Sequence, residues 1–137
     1  MECTVGRVRR CRDCRGGKRP APYPGPRCAT HHRAARAARR RAAHSRHIQR
    51  TYGITLDEYE RLYEAQGGAC AICQRAKGTG RRRLAVDHNH RTGEVRGLLC
   101  GPCNRGVLGH LHDDPDALQR AIDYLINPPS RRVLSAK

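Results

Sequence analysis

At 137 residues the chain has room for one ordinary domain, or for a small domain with an appendage. Only 37% of it is hydrophobic, with five tyrosines and neither tryptophan nor phenylalanine, so apolar burial is scarce and bound metal is expected to supply much of the folding free energy. The formal charge of +16 is concentrated early: residues 1–56 carry 15 Lys and Arg against 2 Asp and Glu, and no acidic residue lies between Asp13 and Asp57. Such a surface suits nucleic acid, because Arg and Lys displace the counterions condensed on phosphates. A solubilising tail, or an arm for acidic membranes, is the plainer alternative. No apolar run approaches the ~20 residues of a membrane span, so no membrane partner is expected. The polar N-terminus lacks the apolar segment of a signal peptide. Eight cysteines, six of them in Cys-x-x-Cys pairs, therefore read as zinc ligands in a reducing cytoplasm, not as a secreted disulfide framework.

Residues 1–32 show neither helical nor strand periodicity. Cys11-x-x-Cys14, thirteen residues, then Cys28-x-x-His31 has the spacing of a zinc knuckle, with His32 as an alternative fourth ligand and Cys3 left over. The Pro/Gly stretch at residues 20–26 would be its closing loop. The competing reading is a disordered basic arm with incidental cysteines. Residues 29–50 are alanine and arginine, which favour helix. Arg33, Arg36, Arg39, Arg40, Arg46 and Arg50 surround it while its alanines bury little, so it reads as a DNA-facing strut or as a solvated linker.

Thr55-Leu56-Asp57-Glu58 matches a capping box. Leu56, Tyr59, Leu62 and Tyr63 then share a helical face, and Gly67-Gly68 stops the helix. The tyrosines read as core packing, not as a platform for stacking bases. Leu84-Ala85-Val86 suits a short buried strand, Arg91-Thr92-Gly93-Glu94 a turn, and residues 95–99 the returning strand. Pro102, inside Cys100-Gly101-Pro102-Cys103, is placed to start a helix carrying Asn104. A last helix is capped by Asp113 or Asp114, with Pro115 in its first turn and Leu118, Ala121, Ile122 and Leu125 as a buried stripe. Residues 130–137 read as a disordered tail.

The chemistry lies between the two downstream cysteine pairs. Cys70, Cys73, Cys100 and Cys103, with 26 residues between the pairs, supply the four thiolates of a structural zinc. Asp87-His88-Asn89-His90 and Asn104 add what such a site does not need: carboxylate and amide oxygens that can hold a hard cation, and an imidazole that can activate water. Singly, Asp87 could cap a turn and Asn104 a helix; their spacing against the cysteines points to hydrolysis. His44, His47, His110 and His112 read as surface histidines.

Tyr52-Gly53-Ile54-Thr55, Gly68-Ala69-Cys70-Ala71-Ile72-Cys73, Val86-Asp87-His88-Asn89-His90 and Gly97-Leu98-Leu99-Cys100-Gly101-Pro102-Cys103-Asn104 occur in the order seen in one family. Over residues 52–127 the chain resembles the recombination endonuclease VII family of phage HNH (ββα-metal, His-Me finger) nucleases. The resemblance implies a small α+β fold: a ββα-metal core braced by a structural zinc on four cysteines, here with a basic zinc-knuckle and helix extension. It implies zinc on Cys70, Cys73, Cys100 and Cys103, a general base at His88, and catalytic Mg²⁺ or Mn²⁺ on Asp87 and Asn104. His90 matches the motif's second histidine. Val107 stands where some members carry a further carboxylate. The junction-resolving members build their dimer on a longer helical region, and little follows Ile126 here, so a homodimer and other phage partners stay open. The implied division is a zinc knuckle at 1–32, a basic helix or linker at 33–51, a nuclease domain at 52–127 and a tail at 128–137. A phage origin would put the protein in the host cell cytoplasm.

Metal-dependent hydrolysis of DNA phosphodiesters is the leading functional expectation. The alternative is a non-catalytic, zinc-stabilised nucleic-acid-binding protein. It accounts for the basic half but gives no reason for an Asp-His beside a hairpin and an Asn after the last cysteine. An RNA-processing or ribosome-associated factor fits the charge and nothing in the motif.

Overall fold

The computed structural model describes residues 9–17, 19–22, 25–79 and 82–134. It divides into two compact units, residues 1–56 and 57–137. Cys3 and part of the Pro/Gly loop, Tyr23 and Pro24, lie outside the described residues.

In the first unit the chain doubles back through Cys11 N–H to Arg19 O (2.9 Å) and Ala21 N–H to Arg9 O (2.8 Å). The pairing stays at an isolated Arg10–Pro20 bridge because Pro20 and Pro22 have no N–H to extend a ladder. Helix α1 follows, Ala29–Tyr52, about 36 Å long at 1.5 Å per residue. Its alanine- and arginine-rich sequence, free of Gly and Pro, favours the helix. Gly53 ends it at φ 71°, donating its N–H to Gln49 O. Ile48 is the buried residue of α1, and Arg33, Arg36, Arg39, Arg40, Arg46 and Arg50 are all exposed.

Helix α2, Leu56–Ala65, starts directly after Thr55, and all of it but Leu56 belongs to the second unit. Gly67 and Gly68, at φ 68° and 71°, turn the chain out of it. Strands β1, Ala85–His88, and β2, Val95–Leu99, form a two-stranded antiparallel sheet. Asn89 builds the connecting turn: its Oδ1 accepts from the backbone N–H groups of Arg91 and Thr92. Tyr59, Ala69, Leu84, Val86, Leu98 and Leu99 form the small apolar core, closed by Cys70 and Cys103. Tyr59 is core packing, its hydroxyl spent on Leu84 O, whereas Tyr63 is only half-buried and donates to Lys77 O in an exposed bond. A π-helix, Pro102–Gly109, then leads to α3, Pro115–Ile126, and α4, Ser130–Leu134. The described residues thus make a small α+β fold with four α-helices and one two-stranded sheet.

Two expectations fail. The stripe of α3 is not buried: Leu118 is half-buried, Ala121 is exposed, and Ile122 and Leu125 are 48% and 75% exposed. Periodicity marks a helix as amphipathic without naming what covers it. The tail is not disordered throughout, since α4 occupies Ser130–Leu134. Pro128 and Pro129 start it by accepting from Arg131 N–H and Arg132 N–H, and Arg131 Nη1 donates to Ile126 O. The residue that caps α3 is Asp114, whose carboxylate accepts from Asp116 N–H.

Candidate active site and metal centres

The cysteines gather as their spacing predicts. Cys70, Cys73, Cys100 and Cys103 form one cluster, and Cys11, Cys14, Cys28 and His31 another; in each, the four ligand atoms lie within 4.8 Å of one another. Tetrahedral zinc with Zn–S of about 2.3 Å sets its sulfurs about 3.8 Å apart, and an imidazole nitrogen at about 2.0–2.1 Å shortens that edge to about 3.5 Å. Cys73 and Cys100 Sγ are 3.8 Å apart, as are Cys14 and Cys28 Sγ. His31 Nδ1 lies 3.4 Å from each of the Cys11, Cys14 and Cys28 sulfurs, which makes His31, not His32, the fourth member. Both clusters could therefore hold zinc.

Their electrostatics agree. Backbone N–H groups of Ala76 and then Arg75 hold the Cys73 thiol down at about 6. Burial, and then the neighbouring thiols, push Cys103 up to about 12. Four crowded thiols cannot all ionise against one another, whereas a divalent ion makes thiolates of them all.

Asp87 and His88 end β1. Asp87 is 6% exposed, and His88 is half-buried with its ring 4.6 Å from that of the exposed His90. Asn104 sits on the first turn of the π-helix, its N–H bonded to Cys100 O at 2.9 Å. It lines a groove of about 940 Å³ together with Arg82, Arg83 and Arg105; Ala85 lines this groove, while Asp87 and His88 do not. π-Helical turns are rare and tend to occur at functional sites.

Two residues that sequence reasoning missed hold this end of the hairpin. Gln66 pairs with the outer edge of β2: Oε1 accepts from Leu98 N–H (2.8 Å), and Nε2 donates to Leu98 O (2.9 Å) and Ala69 O (3.0 Å). Gly97 leaves it room, since a Cβ there would meet Gln66 Oε1 at 3.0 Å. Arg96 forks onto Asp87, with Nε to Oδ2 at 2.7 Å and Nη2 to Oδ1 at 3.0 Å, while Nη2 also reaches His88 O (3.2 Å) and Asp113 Oδ2 (3.1 Å). The bond to Asp87 foremost, then that to Asp113, raises the guanidinium pKa above its ordinary value. Asp113 reaches Arg96 from a segment where His112 and Asp113 both hold left-handed backbone, φ 53° and 55°. That conformation costs a non-glycine residue about 1–2 kcal/mol. A glycine inside a strand pattern is the one sequence signal that could have warned of this, since it often marks a bulge.

The hairpin, the helices and the two cysteine-rich clusters make this a small α+β protein with two sites that could hold zinc. It belongs to the recombination endonuclease VII family, a family of nucleases, whose profile matches residues 45–127. The chain is 53% identical over 131 residues to the Gene 59 protein of Mycobacterium phage D29, covering 93% of this chain and 79% of that protein. Identity to the Gene 59 protein of Mycobacterium phage L5 is 52% over the same length and shares of each chain. No solved structure matches the chain. No helix among the described residues is long and apolar enough to cross a membrane.

Proposed function

We propose that the chain is a metal-dependent DNA endonuclease with its catalytic groups in residues 52–127, preceded by a zinc knuckle (1–32) and a DNA-binding basic helix (33–51). The observation that carries this reading is Asp87-His88 at the end of β1, framed by Cys70/Cys73 and Cys100/Cys103, in a chain of the endonuclease VII family. Asp87 and Asn104 offer the oxygen donors that Mg²⁺ or Mn²⁺ prefers. When bound there, such an ion would stabilise charge on the phosphate and on the leaving 3′ oxygen. His88 takes the proton of the attacking water, and His90, one residue beyond Asn89, supports or orients its ring. Arg33, Arg36, Arg39, Arg40, Arg46 and Arg50 bind backbone phosphates without reading sequence.

One observation favours the non-catalytic alternative: Arg96 already bonds both oxygens of Asp87. A carboxylate has about four lone-pair positions, so two remain for an ion. Nicking of a supercoiled plasmid with Mg²⁺ added or withheld separates the two readings. The endonuclease reading expects nicking that depends on Mg²⁺ and falls by about 10²–10⁴ in His88→Ala, the usual worth of a general base. His88→Ala protein should keep its zinc and its affinity for DNA. More than about a tenth of wild-type nicking in that variant would move the base elsewhere, with His90 first in line.

A further inference from the structure

The hairpin is regular from Ala85↔Leu99 through Asp87↔Gly97, but His88 then pairs with Val95. Arg96 is therefore the extra residue of a β-bulge. In an unbroken ladder it would stand opposite His88 and point to the face away from Asp87, because side chains alternate along a strand. The bulge turns it onto the Asp87 side, a common use of bulges beside active sites. Gly97, the cross-strand partner of Asp87, has no side chain to intervene. Arg96 Nη2 then lies 3.0–3.2 Å from Asp87 Oδ1, His88 O and Asp113 Oδ2. These are three oxygens around one positive nitrogen that has only two hydrogens to offer them.

We propose that Arg96 is a latch on Asp87: its guanidinium holds the carboxylate in the position of a cation, and a divalent ion binds Asp87 against competition from Arg96. The inference rests on the reading of Asp87 as a metal ligand. Asp113 gives the latch somewhere to go, since Arg96 can keep that partner while it yields Asp87. Arg96 also serves as a positioning residue, because the bidentate fork fixes the carboxylate plane before any ion arrives. With no ion bound, Arg96 spares the chain a buried, unpaired carboxylate.

The test is Mn²⁺ titration of the full-length, zinc-loaded protein without DNA, following free Mn²⁺ by electron paramagnetic resonance. A single positive charge about 5 Å from a divalent ion weakens its binding roughly tenfold even at the dielectric constant of water. Arg96→Gln should therefore bind Mn²⁺ at least about tenfold more tightly than wild type. Arg96→Lys keeps the charge and loses the fork, so it should gain only a few-fold, and it serves as the test if the glutamine variant does not fold. The double variant Asp87→Asn/Arg96→Gln should lose the gain. A folded Arg96 variant that binds Mn²⁺ no better than wild type overturns the latch, as does a gain that survives Asp87→Asn. The nuclease reading stands or falls separately: wild-type plasmid nicking tests it, whatever the Mn²⁺ titration reads.

Discussion

Gln66→Ala is expected to damage the second unit more than its position at the end of a helix suggests. Leu98 is fully buried, and its N–H has Gln66 Oε1 as partner at 2.8 Å. Truncation leaves that donor buried and unpaired, which costs about 1–3 kcal/mol. Ala69 O loses its bond from Nε2, worth about 0.5–1.5 kcal/mol, whereas Leu98 O keeps the N–H of Ala71 at 3.2 Å. The sum is about 2–4 kcal/mol. At roughly 4–8 °C per kcal/mol for a unit of this size, the melting temperature should fall by about 10–25 °C. Thermal unfolding followed by circular dichroism at saturating zinc measures it. Gln66→Met restores the volume without the bonds and should stay within about 1 kcal/mol of the alanine variant. Recovery of wild-type stability in Gln66→Met would show that Gln66 fills space and does not pair the edge of β2. A loss below about 0.5 kcal/mol in Gln66→Ala would refute the bookkeeping altogether.

Asp87→Ala and Asn104→Ala should each lose plasmid nicking and regain part of it at raised Mg²⁺ or Mn²⁺, with zinc content unchanged by metal analysis; release of zinc by either would contradict the proposed donor set. Serine at Cys70, Cys73, Cys100 or Cys103 should unfold the second unit, because a structural zinc contributes about 10–16 kcal/mol and a domain's net stability is only about 5–15 kcal/mol. A serine variant that keeps both its zinc and its melting transition would refute this. Deleting residues 1–50 should leave a folded, zinc-containing and active remainder whose duplex affinity depends less on salt, by about 0.9 in the log–log slope for each phosphate no longer neutralised. An unchanged slope would mean that the basic half does not hold the DNA.

What could be read from the residues alone was whatever is written locally. Pro102 announced the start of a helix, Gly67-Gly68 the end of one, and the apolar run Leu84-Ala85-Val86 with the turn residues Arg91-Thr92-Gly93-Glu94 the hairpin. The Cys-x-x-Cys and Cys-x-x-His spacings selected both clusters, because ligands that share a tetrahedron must come from tight turns. What escaped was set by distance in the chain. Gln66 reaches a strand 32 residues away, and Arg96 turns toward Asp87 through one unpaired residue that leaves the polarity of the strand unchanged. The widened turns of the π-helix leave no mark on Pro102–Gly109 that an α-helix would not also carry. The stripe of α3 was seen, but its burial was inferred from periodicity, which says nothing about the neighbour.

That uncovered stripe has a consequence for handling. Ile122, Tyr124, Leu125, Ile126, Val133 and Leu134 present apolar surface along α3 and α4, while exposed arginines line α1. If the arginines bind phosphates as proposed, dilute buffer should favour them and draw the protein onto polyanions in an extract. Concentrated sulfate or phosphate breaks that grip but strengthens apolar association, driving the stripe onto other stripes or onto a hydrophobic resin. The two tendencies bound a window of ionic strength in which the chain stays dispersed. Chloride, which screens charge without sulfate's salting-out power, is the salt in which that window should be widest.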